Sequence, residues 1–449
     1  MKIEVLDYTV SKMRGKKECD LIISFSISSP SGEVTHSAAV IDMTEMSYFV
    51  ERIPTVATSF LYFAAIIYAI DRSISRKRYS IDGWSRELDV TIKIPDYAEF
   101  DIQKGQLSQL LSYLTGDYWA LTFQETLPVR VTKYVDSSYF DDIAQVNLFS
   151  GGLDSLIGAI DFMSQYPEKR IFLASHYDGD MSGPRTDQNK LLQHFASKYK
   201  GQYIVFPKRH SIKIISQQSA ETTCRSRSLM FIAIALQIAE YSKSRIIIPE
   251  NGSVSLNYPL SASRRSSCST RTTHPVVINQ LNKLFSSFGL STIIENPYEL
   301  MTKGEMVSDC KDQQYLLSIL ADSNSCGKRS RHQFFYDNTR ASHCGHCMPC
   351  MYRRAALVGY TDLTSYGNEL NSLFEKKNLQ LTDDFYAMLN FLKTDLTNED
   401  IKRELRIAKV NGLPNFEKYV DLVIRTRSEL KALIASMGSS KLKRYIGLL

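Results

Sequence analysis

The feature that most limits what this chain can fold into is a six-residue string, Ser150-Gly151-Gly152-Leu153-Asp154-Ser155, set directly after the short apolar run Val146–Phe149. The run reads as a strand, and Ser155–Met163 reads as a helix. A turn between them with two missing Cβ atoms lets successive backbone N–H groups face one concavity and approach an anion closely. The helix that follows adds its unsatisfied N–H groups and the positive end of its dipole. Ser150 and Ser155 add hydroxyls. Asp154 repels phosphate, so it either caps the helix or helps hold a Mg²⁺ ion that bridges phosphates. Neither a Gly-x-x-x-x-Gly-Lys-Ser/Thr string nor a Gly-x-Gly-x-x-Gly string occurs, which excludes the two commonest nucleotide loops.

The surrounding chain supports a parallel sheet. Ile171–His176, Tyr203–Phe206 and Arg245–Pro249 read as further strands, separated by the helical stretches Gln188–Lys200 and Leu229–Tyr241. In front, residues 1–142 read as an α+β accessory region: MKIEVLDYTV, Leu21–Ile27 and Leu88–Ile94 as strands, Thr55–Ile70 and Ile102–Leu114 as helices. Behind, 361–449 is polar, with helical spacing and no evident chemistry. The expected fold class is therefore α/β with a doubly wound parallel sheet over 143–360, an N-terminal α+β domain and a helical C-terminal extension.

Composition bounds the partners. Over 449 residues, 54 Lys and Arg stand against 48 Asp and Glu, a net charge of +6. That excess is too small to argue strongly for nucleic acid, although the segments 262–274 and 327–332 are basic. The apolar runs Phe60–Ile70 and Leu229–Ala239 are well short of the ~20 residues of a membrane span. With no apolar secretion signal at the start, the expectation is a cytoplasmic protein without a membrane. In that compartment disulfides are rare, so clustered cysteines suggest metal or catalysis.

Such a cluster is present. Cys344-Gly-His-Cys347-Met-Pro-Cys350 contains two overlapping Cys-x-x-Cys steps, a spacing that brings thiolates to one tetrahedral ion. Cys326, separated from Cys344 by 17 residues, is the nearest fourth ligand, with His343 and His346 as competitors. A redox dithiol or an iron–sulfur cluster would use the same residues. Cys19, Cys224, Cys268 and Cys310 are scattered and read as ordinary thiols. Two further stretches are candidates for ligand contact. Glu250-Asn251-Gly252 follows a strand at its C-terminal end, where open α/β sheets bind ligands; a plain Asn-Gly turn would look the same. The run from Ser263 to His274, including Arg271, Thr272, Thr273 and His274, has Arg and hydroxyls without acids, as an anion site or an exposed loop would.

The string SGGLDS resembles the pyrophosphate loop of the N-type ATP pyrophosphatases, and CGHCMPCMYRR is similar to the C-terminal zinc motif of their QueC branch. The resemblance covers about 143–360. It implies ATP cleavage between the α and β phosphates, with Ser150, Gly151, Gly152, Leu153, Asp154, Ser155 and His176 around the nucleotide. It implies Zn²⁺ on Cys326, Cys344, Cys347 and Cys350, and Mg²⁺ oriented by Asp154. Thr222–Ser228 resembles the Arg-containing helix start of QueC, and Thr302–Val307 its Lys-containing stretch, so Arg225, Arg227 and Lys303 would neutralise phosphates. The substrate implied is 7-carboxy-7-deazaguanine, activated as an adenylate and passed to an amine. The segment from Glu250 to Pro275 departs from QueC and looks like the QueC-like proteins of anti-phage operons, which implies a protein partner as the amine. Formation of 7-cyano-7-deazaguanine, RNA thiolation and a non-catalytic ATP-binding subunit are the other functions the motifs allow.

Overall fold

The computed structural model describes residues 1–449 apart from 13–18, 128–136, 179–182, 207–209, 218–220, 222, 262–270, 330–332, 334 and 376–378. Most of the Arg/Ser-rich run before Arg271, Thr222 and Cys268 therefore lie outside the described residues.

Twelve strands occur among the described residues: β1 (Lys2–Lys12), β2 (Cys19–Ser28), β3 (Val34–Asp42), β4 (Glu87–Ile94), β5 (Tyr118–Glu125), β6 (Ile143–Leu148), β7 (Arg170–Ala174), β8 (His176–Asp178), β9 (Tyr203–Ile204), β10 (His210–Ser216), β11 (Ile246–Ile247) and β12 (Ile294–Glu295). They form two sheets. The mixed N-terminal sheet runs β5-β4-β1-β2-β3-β10-β8, and the second, all parallel, runs β12-β11-β6-β7-β9. With the helices beyond 370 this is an α/β protein with a five-stranded parallel sheet, an N-terminal mixed sheet and a helical C-terminal region.

The alternation that makes β2 a strand is visible in its burial, which switches at every residue, with Leu21, Ile23, Phe25 and Ile27 fully covered. The helix Thr55–Ser73 is apolar on every side, and almost all of it is buried. An all-round apolar helix needs cover on all sides. Here the N-terminal sheet and the helix Arg227–Ser242 supply it, with the Gln237 side-chain amide donating to the Ala57 carbonyl at 2.8 Å. No helix among the described residues is long and apolar enough to cross a membrane.

In the parallel sheet the chain moves outward from β6 through β7 to β9, then returns to the other side of β6 for β11 and β12. Adjacent residues of β7 face different cores: Phe172 and Ala174 pack with Arg227–Ser242 and Pro275–Ser287, Ile171 and Leu173 with Leu153–Gln165 and Pro184–Lys198. Both faces of β7 are covered, which is why Ile171–Ala174 reads as an unbroken apolar run.

Three expectations are corrected. Ile171–His176 is not one strand: it breaks at Ser175, and His176 pairs with His210 in the N-terminal sheet. Ile102–Leu114 is not one helix: Gln103, at φ −94° and ψ 5°, separates Tyr97–Ile102 from Lys104–Thr115. Ile102 is exposed, so the buried stripe begins only at Leu107. Finally, β8 and β10 lie beyond residue 143 yet complete the N-terminal sheet, and one apolar core runs from Ile3 through Val146 to Ile294. The sheets do not part at 142/143.

Candidate active site and metal centre

The string after β6 makes the expected strand–turn–helix. Phe149 continues the ladder, its N–H donating to the Ala174 carbonyl at 2.8 Å, and the helix runs Leu153–Gln165. Gly151 has φ +87°, a conformation only glycine holds without strain. A Cβ there would also meet the Gln188 Cγ at 3.3 Å and the Asp187 Cβ at 3.4 Å. Gly152 is different: its backbone is extended, and a Cβ would make ordinary contacts at 3.4 Å or more. The loop amides meet hydroxyl oxygens, with Gly152 N–H donating to Ser150 Oγ at 3.3 Å and Leu153 N–H to Ser325 Oγ at 3.2 Å. The Ser155 hydroxyl donates back to the Gly152 carbonyl at 3.0 Å and lies 3.3 Å from Ser150 Oγ. The Leu153 side chain is in the core, so only its amide belongs to the loop.

Beneath the loop lies a buried polar group. Asp154 does not cap its helix. It pairs with Lys303 Nζ and accepts from the Asn251 side-chain amide at 2.7 Å and the Asn251 N–H at 3.3 Å. Burial works to raise its pKa, but the Lys303 ammonium and the Asn251 amide hold it below the usual carboxylate range. Glu250 goes the other way, pushed well up by burial and by the Asp154 charge. Asn251 fixes the turn by accepting from Val254 N–H, and caps Gly252–Leu256. The loops after β6 and β11 thus meet side by side, where the strand order reverses.

Lys303 is placed by a capping box: Thr302 and Glu305 satisfy each other's backbone N–H groups at the start of Lys303–Ser308. The C-terminal helix Phe416–Met437 secures that turn. Glu429 contacts the Thr302 hydroxyl and accepts from Gly304 N–H at 3.4 Å, and Arg425 pairs with Glu305. A Cβ on Gly304 would collide with Glu429. The C-terminal region, read from sequence as without chemistry, is thus a brace for Lys303.

Other candidates go elsewhere. Arg225 is buried against the N-terminal region: its guanidinium donates to the Thr115 carbonyl at 2.6 Å and lies 4.5 Å over the Trp84 ring. Next to it Ser226 bonds Asp71, part of a buried group with Arg76, Arg86 and Asp117. Burial brings the Arg225 pKa down to about 10. Arg227 lies 5.5 Å from the Phe231 ring centre, and His176 stacks edge-on against the same ring at 5.2 Å. Gln188 reaches the Phe149, Ser150 and His176 carbonyls only at 3.5 Å, the limit of hydrogen bonding. Arg271 covers Tyr113 at 4.2 Å. His274 is structural: its Nδ1 accepts from Val276 N–H at 3.2 Å and caps Pro275–Ser287, and burial pushes its pKa down to about 3. Thr273 is buried and Thr272 partly covered beside it.

The metal candidates converge. Sγ atoms of Cys326, Cys344, Cys347 and Cys350 all lie within 4.8 Å of one another, so the four can hold a metal ion such as zinc. Backbone amides point at the sulfurs: Lys328 and Cys344 N–H donate to Cys326 Sγ at 3.3 and 3.2 Å, and Cys347 N–H to Cys344 Sγ at 3.3 Å. Those donors favour thiolates. The competing histidines are used otherwise. His343 Nε2 accepts from Ser325 N–H at 3.4 Å, and His346 Nδ1 lies 3.2 Å from the Asn368 amide.

The two centres are joined by residues no motif marked. Asn324 N–H donates to the Gly151 carbonyl at 2.9 Å, Ser325 takes the Leu153 amide, and Cys326 follows at once as a sulfur ligand. Only a long-range contact reveals them; the sequence signal was at most their place before Cys326. No family model matches the chain, and neither a curated protein nor a solved structure does.

Proposed function

We propose that the protein is an AMP-forming, ATP-dependent enzyme of the QueC-like kind. It would adenylate 7-carboxy-7-deazaguanine and pass it to an amine, most simply on a partner protein of an anti-phage system. The observation that carries this reading is the glycine turn after β6, at the point where the parallel strand order reverses and where doubly wound sheets bind nucleotides. The sequence motifs supply the substrate class.

In this reading the amides of Gly152 and Leu153 exchange hydroxyl partners for phosphate oxygens, which needs only rotation of Ser150 and Ser325. Fixed N–H dipoles then stabilise the charge that grows on departing pyrophosphate. Lys303 keeps Asp154 ionised, so that a carboxylate remains available to a Mg²⁺ ion accompanying the nucleotide. Burial and the Asp154 charge push the Glu250 carboxyl well up, which disfavours a second negative charge beneath the loop. The substrate carboxylate attacks the α-phosphorus, the bond to the bridging oxygen breaks, and the amine later displaces AMP. A zinc ion on the four sulfurs would have no open position, so its contribution is to hold 324–326 against the loop.

The test is pyrophosphate release from ATP with 7-carboxy-7-deazaguanine and ammonia, then with the co-expressed operon proteins, read by mass spectrometry. Deazaguanine-dependent pyrophosphate release, lost in Asp154→Asn, is expected. An adduct on a partner protein identifies the acceptor, whereas free nitrile alone identifies the simpler synthase. Absence of ATP turnover with every acceptor, in protein carrying its full metal content, would overturn the enzymatic reading.

A further inference from the structure

Arg225, one of the arginines expected at the phosphates, is engaged away from the loop, yet another cation stands beside it. Arg329 lies three residues after Cys326 and pairs with Asp187 Oδ2. Asp187 is in the first turn of Pro184–Lys198 and forms part of the wall around Gly151, where a Cβ would come within 3.4 Å of the Asp187 Cβ. The Arg329 guanidinium also closes over Gly183, with Nη1 2.6 Å from where a Cβ would stand. The Arg329 side chain is 26% exposed and Asp187 8%, so the cation keeps an open side.

The same short segment touches the loop twice, through Asn324 on the Gly151 carbonyl and Ser325 on the Leu153 amide, and then the helix beside it through Arg329 on Asp187. Cys326 ties it to the sulfur cluster between the second and third contacts, and Lys328 N–H also donates to the Cys326 sulfur. A planar guanidinium presents a bidentate fork suited to phosphate oxygens.

We propose that Arg329 is the phosphate-binding cation of this site, held ready by Asp187 and released to the terminal phosphates when they enter the loop. The proposal rests on the reading of Ser150–Ser155 as a phosphate loop. Asp187 is the positioning residue: it keeps Arg329 at the loop and gives it up to a more highly charged partner. The metal cluster fixes the segment's backbone, so the guanidinium needs only a side-chain movement.

The experiment is calorimetric titration of the full-length, metal-loaded protein with inorganic pyrophosphate. Wild type should bind, and Arg329→Met should bind at least tenfold more weakly with melting temperature and metal content unchanged. Asp187→Asn should bind more tightly than wild type, because it frees the arginine; a purely structural ion pair predicts the reverse. That gain should vanish in the Arg329→Met background. Wild-type binding with Arg329→Met unaffected, or an equal gain from Asp187→Asn in both backgrounds, overturns the role of Arg329 and leaves the loop reading standing. No pyrophosphate binding by wild type overturns the loop reading, and this role with it. Should Arg329→Met fail to fold, Asp187→Asn decides alone: tighter binding supports the proposal, and unchanged or weaker binding overturns it.

Discussion

Replacing Lys303 with methionine tests the buried group beneath the loop. Lys303 and Asp154 are 3% and 6% exposed, so solvent screens their pairing little. Removing one partner of a buried pair typically costs about 3–5 kcal/mol. The carboxylate has an escape, which is to take up a proton. Held neutral, it costs ~1.4 kcal/mol for each pH unit above the unfolded value near 3.9. That limits the loss to about 1.5 kcal/mol at about pH 5 and to about 5 kcal/mol at about pH 7.5. The signs follow from the direction of the shift. In the wild type Asp154 has a lowered folded pKa, so its contribution is present above the unfolded pKa and lost as pH falls through the folded one. Without Lys303, burial raises that pKa, and the penalty grows with pH instead. Urea unfolding of both proteins at the two pH values measures it. Equal losses at both, or a loss under about 1 kcal/mol at about pH 7.5, would refute the buried-pair argument. The double variant Lys303→Met with Asp154→Asn should recover most of the stability, since an amide can still accept from Asn251.

Two further outcomes are expected. Purified protein should release about one zinc per chain when its thiols are titrated with a mercurial, and Cys344→Ser should carry none and melt lower; iron with visible absorption would replace zinc by a cluster. Gly158→Ala should destabilise by roughly 1–3 kcal/mol in urea, because a Cβ there presses into the Pro249 ring, and an unchanged midpoint would show that helix and strand end are not in close contact.

Where sequence reading succeeded, the signal was local. Alternation in β2, the all-round apolar helix Thr55–Ser73 and the apolar strands of the parallel sheet each carry their structure in neighbouring residues. The glycine turn needed Gly151 for its positive φ, and the Cys-x-x-Cys steps brought three sulfurs together by spacing alone. Short strands with weak patterns, such as β12 with two residues, left no such mark.

What the amino-acid order determined by itself is therefore the strongly patterned elements and the two chemical motifs, because backbone conformation and thiol spacing depend on residues a few positions apart. Tertiary structure decided which charges serve which site. Arg225 and His274 carry the side chains expected of ligand contacts, yet one is spent on Thr115 and Trp84 and the other on a helix cap. Asp154 meets Lys303 and Asn251 across 149 and 97 positions, Gly304 meets Glu429 across 125, and Ser325 reaches Leu153 across 172. A buried charge must find its partner wherever packing puts one, and no local pattern encodes that choice.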